Sequence, residues 1–247
     1  PPPLCPRPPA SQEEPPRRGP AIRHGGSVVG CATLHEGDVL SWSADGTLRL
    51  WNLQSGELHR VFSGHQGEVT GCALLDGDMA VSSSRDGTLR IWDLSGRAPA
   101  RMLLGHQGEV HGVVRAGGRF VSWSADGTLG VWNLQDLGAP RLSLTGHTGA
   151  VTACAPLARR YIVSGSADTT LRVWDLETGA AVCTYQGHTA SVTGVVVLPN
   201  GAGIVSCSQD RTLRVWPLVT APGTNGAAVV RSPLRTLQGH GLGVLGC

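Results

Sequence analysis

A spacing of 41 residues governs this chain. Gly-His pairs stand at Gly64-His65, Gly105-His106, Gly146-His147, Gly187-His188 and Gly239-His240, and Arg23-His24 fills the same frame. His24, His65, His106, His147 and His188 lie 41 residues apart, and His240 follows the last of them by 52. A fixed period of this length denotes stacked supersecondary units, each burying its apolar face only against its neighbours. The second half of the unit repeats as strictly. Asp45, Asp86, Asp126, Asp168 and Asp210 each lie six residues before a tryptophan, namely Trp51, Trp92, Trp132, Trp174 and Trp216. Ser41, Ser82, Ser122, Ser164 and Ser206 each lie four before the aspartate. Five complete units therefore carry His, Ser, Asp and Trp in one order: His24–Phe62, His65–Leu104, His106–Leu144, His147–Tyr185 and His188–Leu237. A sixth begins at His240 and stops inside its first strand.

Each unit reads as four strands. In the second, Val69 to Leu75 is a short apolar run closed by Asp76-Gly77, a strong hairpin signal. Met79 to Ser84 follows, then a tight turn at Arg85-Asp86-Gly87. Thr88 to Trp92 alternates polar and apolar, as a half-buried strand does. Ala100 to Leu104 is the last short strand. No stretch of ten residues has helical period, so the expected product is a small antiparallel sheet.

Gly-His, Ser-x-x-x-Asp and Trp-Asp at this period make the chain from His24 to His240 similar to the WD40 repeat family. The resemblance implies an all-β fold, a β-propeller of four-stranded antiparallel blades, here an incomplete ring of five blades plus one strand within residues 21–247. It also implies that the His, Ser, Asp and Trp of each unit join in one buried hydrogen-bond network. The departures are modest: Trp51-Asn52, Trp132-Asn133 and Trp216-Pro217 replace Trp-Asp, and Asp168-Thr169 and Asp210-Arg211 lose the glycine found at Gly46, Gly87 and Gly127.

The composition narrows the function. All 20 basic residues are arginine, which excludes a phosphate-loop lysine and a Schiff-base lysine from this stretch. Arg7, Arg17, Arg18 and Arg23 and the acids Glu13 and Glu14 precede His24, leaving 16 basic and 16 acidic residues in the array. Without a basic stripe, nucleic acid is not expected as a partner. No apolar run approaches the ~20 residues of a membrane span. Residues 1–20 are rich in proline and poor in apolar side chains, and are expected to be a disordered linker. Its P-x-x-P runs also allow a docking peptide. Cys31, Cys72, Cys154 and Cys247 fall seven residues after the repeat histidine, where Val113 and Val195 stand in other units, so the position reads as a small apolar core slot. Reduced, buried thiols point to an intracellular, cytoplasmic or nuclear, protein. The 24 residues from Trp216 to His240, against 14 or 15 elsewhere, place an insertion at Pro217–Val230, expected as an exposed loop. Trp42 and Trp123 are expected to pack between neighbouring units.

Ser82, His65 and Asp86 invite a hydrolase reading, but the set recurs in every unit with a tryptophan added, which marks architecture and not one active site. No histidine pair has a metal-ligand spacing on one element, so neither metal nor cofactor is expected. The resemblance implies a non-enzymatic protein- or peptide-binding scaffold. The alternative is a sensor or autoinhibitory array of a larger signalling enzyme, an NTPase or kinase, whose catalytic domain lies outside this chain. It further implies that a partner is read three and five residues after the repeat histidine and just before the turn aspartate. In units two and three these positions gather Glu68, Arg85, Glu109 and His111, expected to take an arginine or lysine of a partner and to make binding sensitive to pH.

Overall fold

The computed structural model describes residues 23–34, 37–133, 139–157, 160–219 and 227–244, so the proline-rich stretch and the tip of the insertion lie outside the described residues. The strands fall into five sheets, antiparallel throughout except for one added strand in the fourth. The first holds β1 (Val28–Thr33), β2 (Asp38–Ser43), β3 (Thr47–Asn52) and β4 (Leu58–Ser63), and the second β5 (Val69–Leu74), β6 (Met79–Ser84), β7 (Leu89–Asp93) and β8 (Arg101–Leu103). The third holds β9 (Val110–Ala116), β10 (Arg119–Ser124), β11 (Leu129–Asn133) and β12 (Leu142–Leu144). The fourth holds β13 (Val151–Pro156), β14 (Tyr161–Ser166), β15 (Leu171–Asp175) and β16 (Ala181–Tyr185); the fifth begins with β17 (Val192–Val197), β18 (Ile204–Ser208) and β19 (Thr212–Trp216). Two further strands are β20 (Ala228–Val230) and β21 (Arg235–Gln238), and β21 completes the fifth sheet. The expected strands of the second unit match to within one residue.

The apolar core lies between sheets. One cluster joins Val81, Leu89, Ile91 and Leu103 of the second blade to Val110, Val113, Phe120 and Trp132 of the third, and its counterparts fill the other junctions. Each of the three inner blades thus gives one face to its follower and the other to its predecessor. Trp42 and Trp123 pack against these cores, as expected. Each lies over the glycine opposite it: a Cβ at Gly112 would stand 2.2 Å from the Trp123 ring.

The outer faces of the first and last blades stay open. Val69, Val110, Val151 and Val192 are fully buried, but their counterpart Val28 is 58% exposed. Leu103 and Leu144 are buried where Leu237 is 50% exposed. Among the described residues no strand pairing closes the fifth sheet on the first. Cys31, expected in a core slot, is exposed for the same reason, whereas Cys72 and Cys154 are half-buried with burial holding both thiols protonated, Cys72 pushed up to about 12.

The insertion corrects the expectation of a loop. β20 pairs in parallel with β16, making the fourth sheet five-stranded. The buried Tyr185 hydroxyl donates to the Pro217 carbonyl at 2.9 Å and accepts from the Val219 N–H at 3.3 Å, so both ends of the insertion are tied to blade four. The short run Ala228-Val229-Val230 suits an extended edge, and β16 offers an unpaired one.

The turns after the aspartates are tight. Gly46, Gly87 and Gly127 have φ of 78°, 82° and 81°, and Thr169 and Arg211 hold the same left-handed conformation at 72° and 71°. A non-glycine residue there costs about 1–2 kcal/mol, partly offset by the extra freedom glycine gives the unfolded chain. Arg211→Gly is expected to stabilise the array by about 0.5–1 kcal/mol, read as a raised midpoint in urea; a lowered midpoint would refute the strain.

Candidate functional site

The repeated side chains meet as one network per blade. The Trp51, Trp92, Trp132, Trp174 and Trp216 indole N–H groups donate to Ser41, Ser82, Ser122, Ser164 and Ser206, each at 2.8 Å. Each serine Oγ stands 2.7–2.8 Å from Nε2 of His24, His65, His106, His147 or His188. The Nδ1 atoms stand 2.7–3.1 Å from Oδ2 of Asp45, Asp86, Asp126, Asp168 and Asp210. Indole can only donate and an ionised carboxylate only accept. The chain is therefore satisfied when the serine donates to Nε2 and the neutral imidazole donates from Nδ1.

Burial pushes the His65, His106 and His188 rings below their ordinary value, against the opposing pull of their aspartates. Burial alone would raise the carboxyls, but the hydrogen bonds they accept more than offset it, holding Asp86 and Asp210 at about 2 and Asp45, Asp126 and Asp168 below the usual range. Two further members of the network escape the four-residue pattern. The threonine two residues after each aspartate, Thr47, Thr88, Thr128, Thr170 or Thr212, donates its hydroxyl to Oδ1 at 2.6–2.7 Å. The serine two before each aspartate, Ser43, Ser84, Ser124, Ser166 or Ser208, accepts from its N–H at 3.0–3.2 Å. Both recur five times in the sequence, and that recurrence was the available signal.

The Ser-His-Asp connectivity is that of a hydrolytic triad, yet its chemistry is blocked. The Ser82 hydroxyl is fully buried and takes the Trp92 N–H on the oxygen that would have to attack. The same holds at Ser122, Ser164 and Ser206, and Ser41 is likewise buried and takes the Trp51 N–H, so none of the five repeat serines is a distinct nucleophile.

The positions expected to read a partner divide. Five residues after the repeat histidine, each first strand carries a bulge, which re-aims a side chain. Thr70 donates across the junction to the Val110 carbonyl at 2.7 Å, His111 Nδ1 to Val151 at 2.8 Å, Thr152 to Val192 at 2.5 Å, and Thr193 to Val244. His111 is thus a latch between blades three and four, and Val244, at the start of the sixth unit, occupies the place of the next first strand. Glu68 and Arg85 form an ion pair at 2.9 Å within blade two. Glu109 is exposed, and its carboxylate has no ion pair or hydrogen bond among the described residues.

A family model for the WD domain, G-beta repeat, matches residues 56–93, 138–175 and 179–217. No curated protein matches the chain significantly.

Proposed function

We propose, from the premise that this chain belongs to the WD40 repeat family, that it is a non-enzymatic recognition module that binds a basic segment of a protein partner on the face of its aspartate turns. WD40 domains generally bind proteins and are typically non-catalytic. The observation that carries the finer reading is the exposed Glu109 carboxylate, which holds in blade three the repeat position that Glu68, paired with Arg85, holds in blade two. An arginine or lysine of the partner meets Glu109 directly and competes with Arg85 for Glu68; exposed pairs such as Glu68–Arg85 are worth only ~0–1 kcal/mol and are readily exchanged. His111, two residues after Glu109, is held to the Val151 carbonyl of blade four. Free thiols at Cys72, Cys154 and Cys183 support an intracellular setting, and no helix among the described residues is long and apolar enough to cross a membrane.

The test compares partners captured by the wild type with those captured by Glu68→Ala/Glu109→Ala and by Val229→Asp on the insertion strand. The carboxylate double variant is expected to lose its partner and the insertion variant to keep it, with wild-type binding weakening as salt rises. Binding that survives the loss of both carboxylates but fails on the insertion variant would move the interface to blade four's outer edge.

A further inference from the structure

On the face opposite the aspartate turns, a cleft of about 770 Å³ opens at the seam of blades three and four, lined by Arg115, Ala116, Arg119, Asn133, Arg141 and Glu177 with the glycines between β9 and β10. Its residues depart from the repeat in one direction. Ten residues after the repeat histidine the other blades carry Leu34, Leu75, Leu157 and Leu198; blade three carries Ala116, buried beneath the cleft. One residue earlier, Thr33, Leu74, Pro156 and Val197 correspond to Arg115. Three residues before the repeat serine, Asp38, Met79, Tyr161 and Gly203 correspond to Arg119. Arg119 pairs in register with Asn133, where blades two and four have Asp93 and Asp175. Blade three has thus lost the leucine of the other blades and gained two arginines at one place, beside an asparagine that it shares with blade one.

The charges around the cleft leave a surplus. Arg115 is held by Asp76 at 2.6 Å and the Gly117 carbonyl at 3.2 Å. Glu177, on the opposite wall, faces Arg160 at 3.4 Å. Arg119 makes one bond, to the Leu176 carbonyl at 2.8 Å, and Arg141 is exposed with no ion pair or side-chain hydrogen bond among the described residues. Two guanidinium groups therefore face the cleft with no carboxylate partner among the described residues.

We propose that this cleft binds a phosphorylated serine or threonine side chain of a protein partner, at a second site independent of the one on the turn face. Guanidinium forks match phosphate oxygens in pairs, and a phosphate monoester brings ~1.5–2 negative charges against Arg119 and Arg141. The missing leucine gives the depth, and the open seam leaves room for the residues flanking the phosphate.

A peptide library with a fixed phosphoserine and degenerate flanks, its unphosphorylated twin, and inorganic phosphate are the probes. The full chain is expected to bind the phosphorylated library at least tenfold more tightly than the twin. Ala116→Leu restores the residue of the other blades without touching charge; it is expected to keep the melting temperature and reduce binding tenfold or more, as Arg119→Gln/Arg141→Gln does. Glu68→Ala/Glu109→Ala is expected to leave it unchanged, which separates this site from the proposed recognition face. Equal binding of the two libraries, phosphopeptide binding that survives Ala116→Leu, or inorganic phosphate binding as tightly as the phosphorylated library would each overturn the proposal.

Discussion

Asp86→Ala is expected to lower the stability of the array by about 1–3 kcal/mol, the cost of a buried donor left without its acceptor. The carboxylate accepts from His65, from the Gln66 N–H, and from the N–H and hydroxyl of Thr88. The Gln66 amide is exposed and can turn to water, but the His65 side chain is fully buried and cannot. The loss propagates to Ser82 and Trp92, whose bonds depend on the imidazole keeping its orientation. For a chain of this size each kcal/mol moves the melting temperature by about 2–4 °C. Asp76→Ala, at an exposed ion pair, is the control and is expected to change stability by less than about 0.5 kcal/mol. Equal melting of wild type and Asp86→Ala would show that the network does not hold the blade.

Acid is expected to loosen the array in two stages. His65, His106 and His188 have folded values below the ordinary 6.5, so between 6.5 and those lower values the unfolded chain binds more protons than the folded one. Stability then rises with pH in that window and falls as the pH drops through it. The second stage comes from Asp86 and Asp210, whose carboxyls move from 3.8 to about 2 on folding. Their contribution is fully present above 3.8 and is lost as the pH falls from there towards 2. Melting temperatures measured from pH 8 to 3 at fixed ionic strength are expected to be level above 7, to decline from about 6.5, and to fall further below 4. A curve level down to pH 4 would mean that the histidines carry no burial penalty.

The blades were legible in the sequence because their determinants are local and repeated: the aspartate turn, the alternating third strand and the glycine before the histidine all sit within one unit. The network's extra threonine and serine are equally repeated, but hydroxyl residues near a turn aspartate are also ordinary turn chemistry, so their place in the network does not follow from the sequence alone. What a single unit cannot encode was harder to see. Whether Val28 or Leu237 is buried depends on a neighbouring blade, not on its own strand. β20 was hidden because its three residues follow a run rich in proline and glycine, and only the bare edge of β16 selects them as a strand. The bulged residues Thr70, His111 and Thr152 looked like reading positions; their hydrogen bonds to the next blade appear only when the blades are stacked.

The most direct test of the repeated network is hydrogen exchange at the indole N–H groups. In a protein labelled with 15N at tryptophan, five side-chain signals are expected to persist in D2O: Trp92, Trp132, Trp174 and Trp216 longest, and Trp51 less long, because blade one is open on one side. Asp86→Ala is expected to shorten the lifetime of the Trp92 signal before any other. Seven indole signals vanishing together at the rate of an exposed tryptophan would contradict the account.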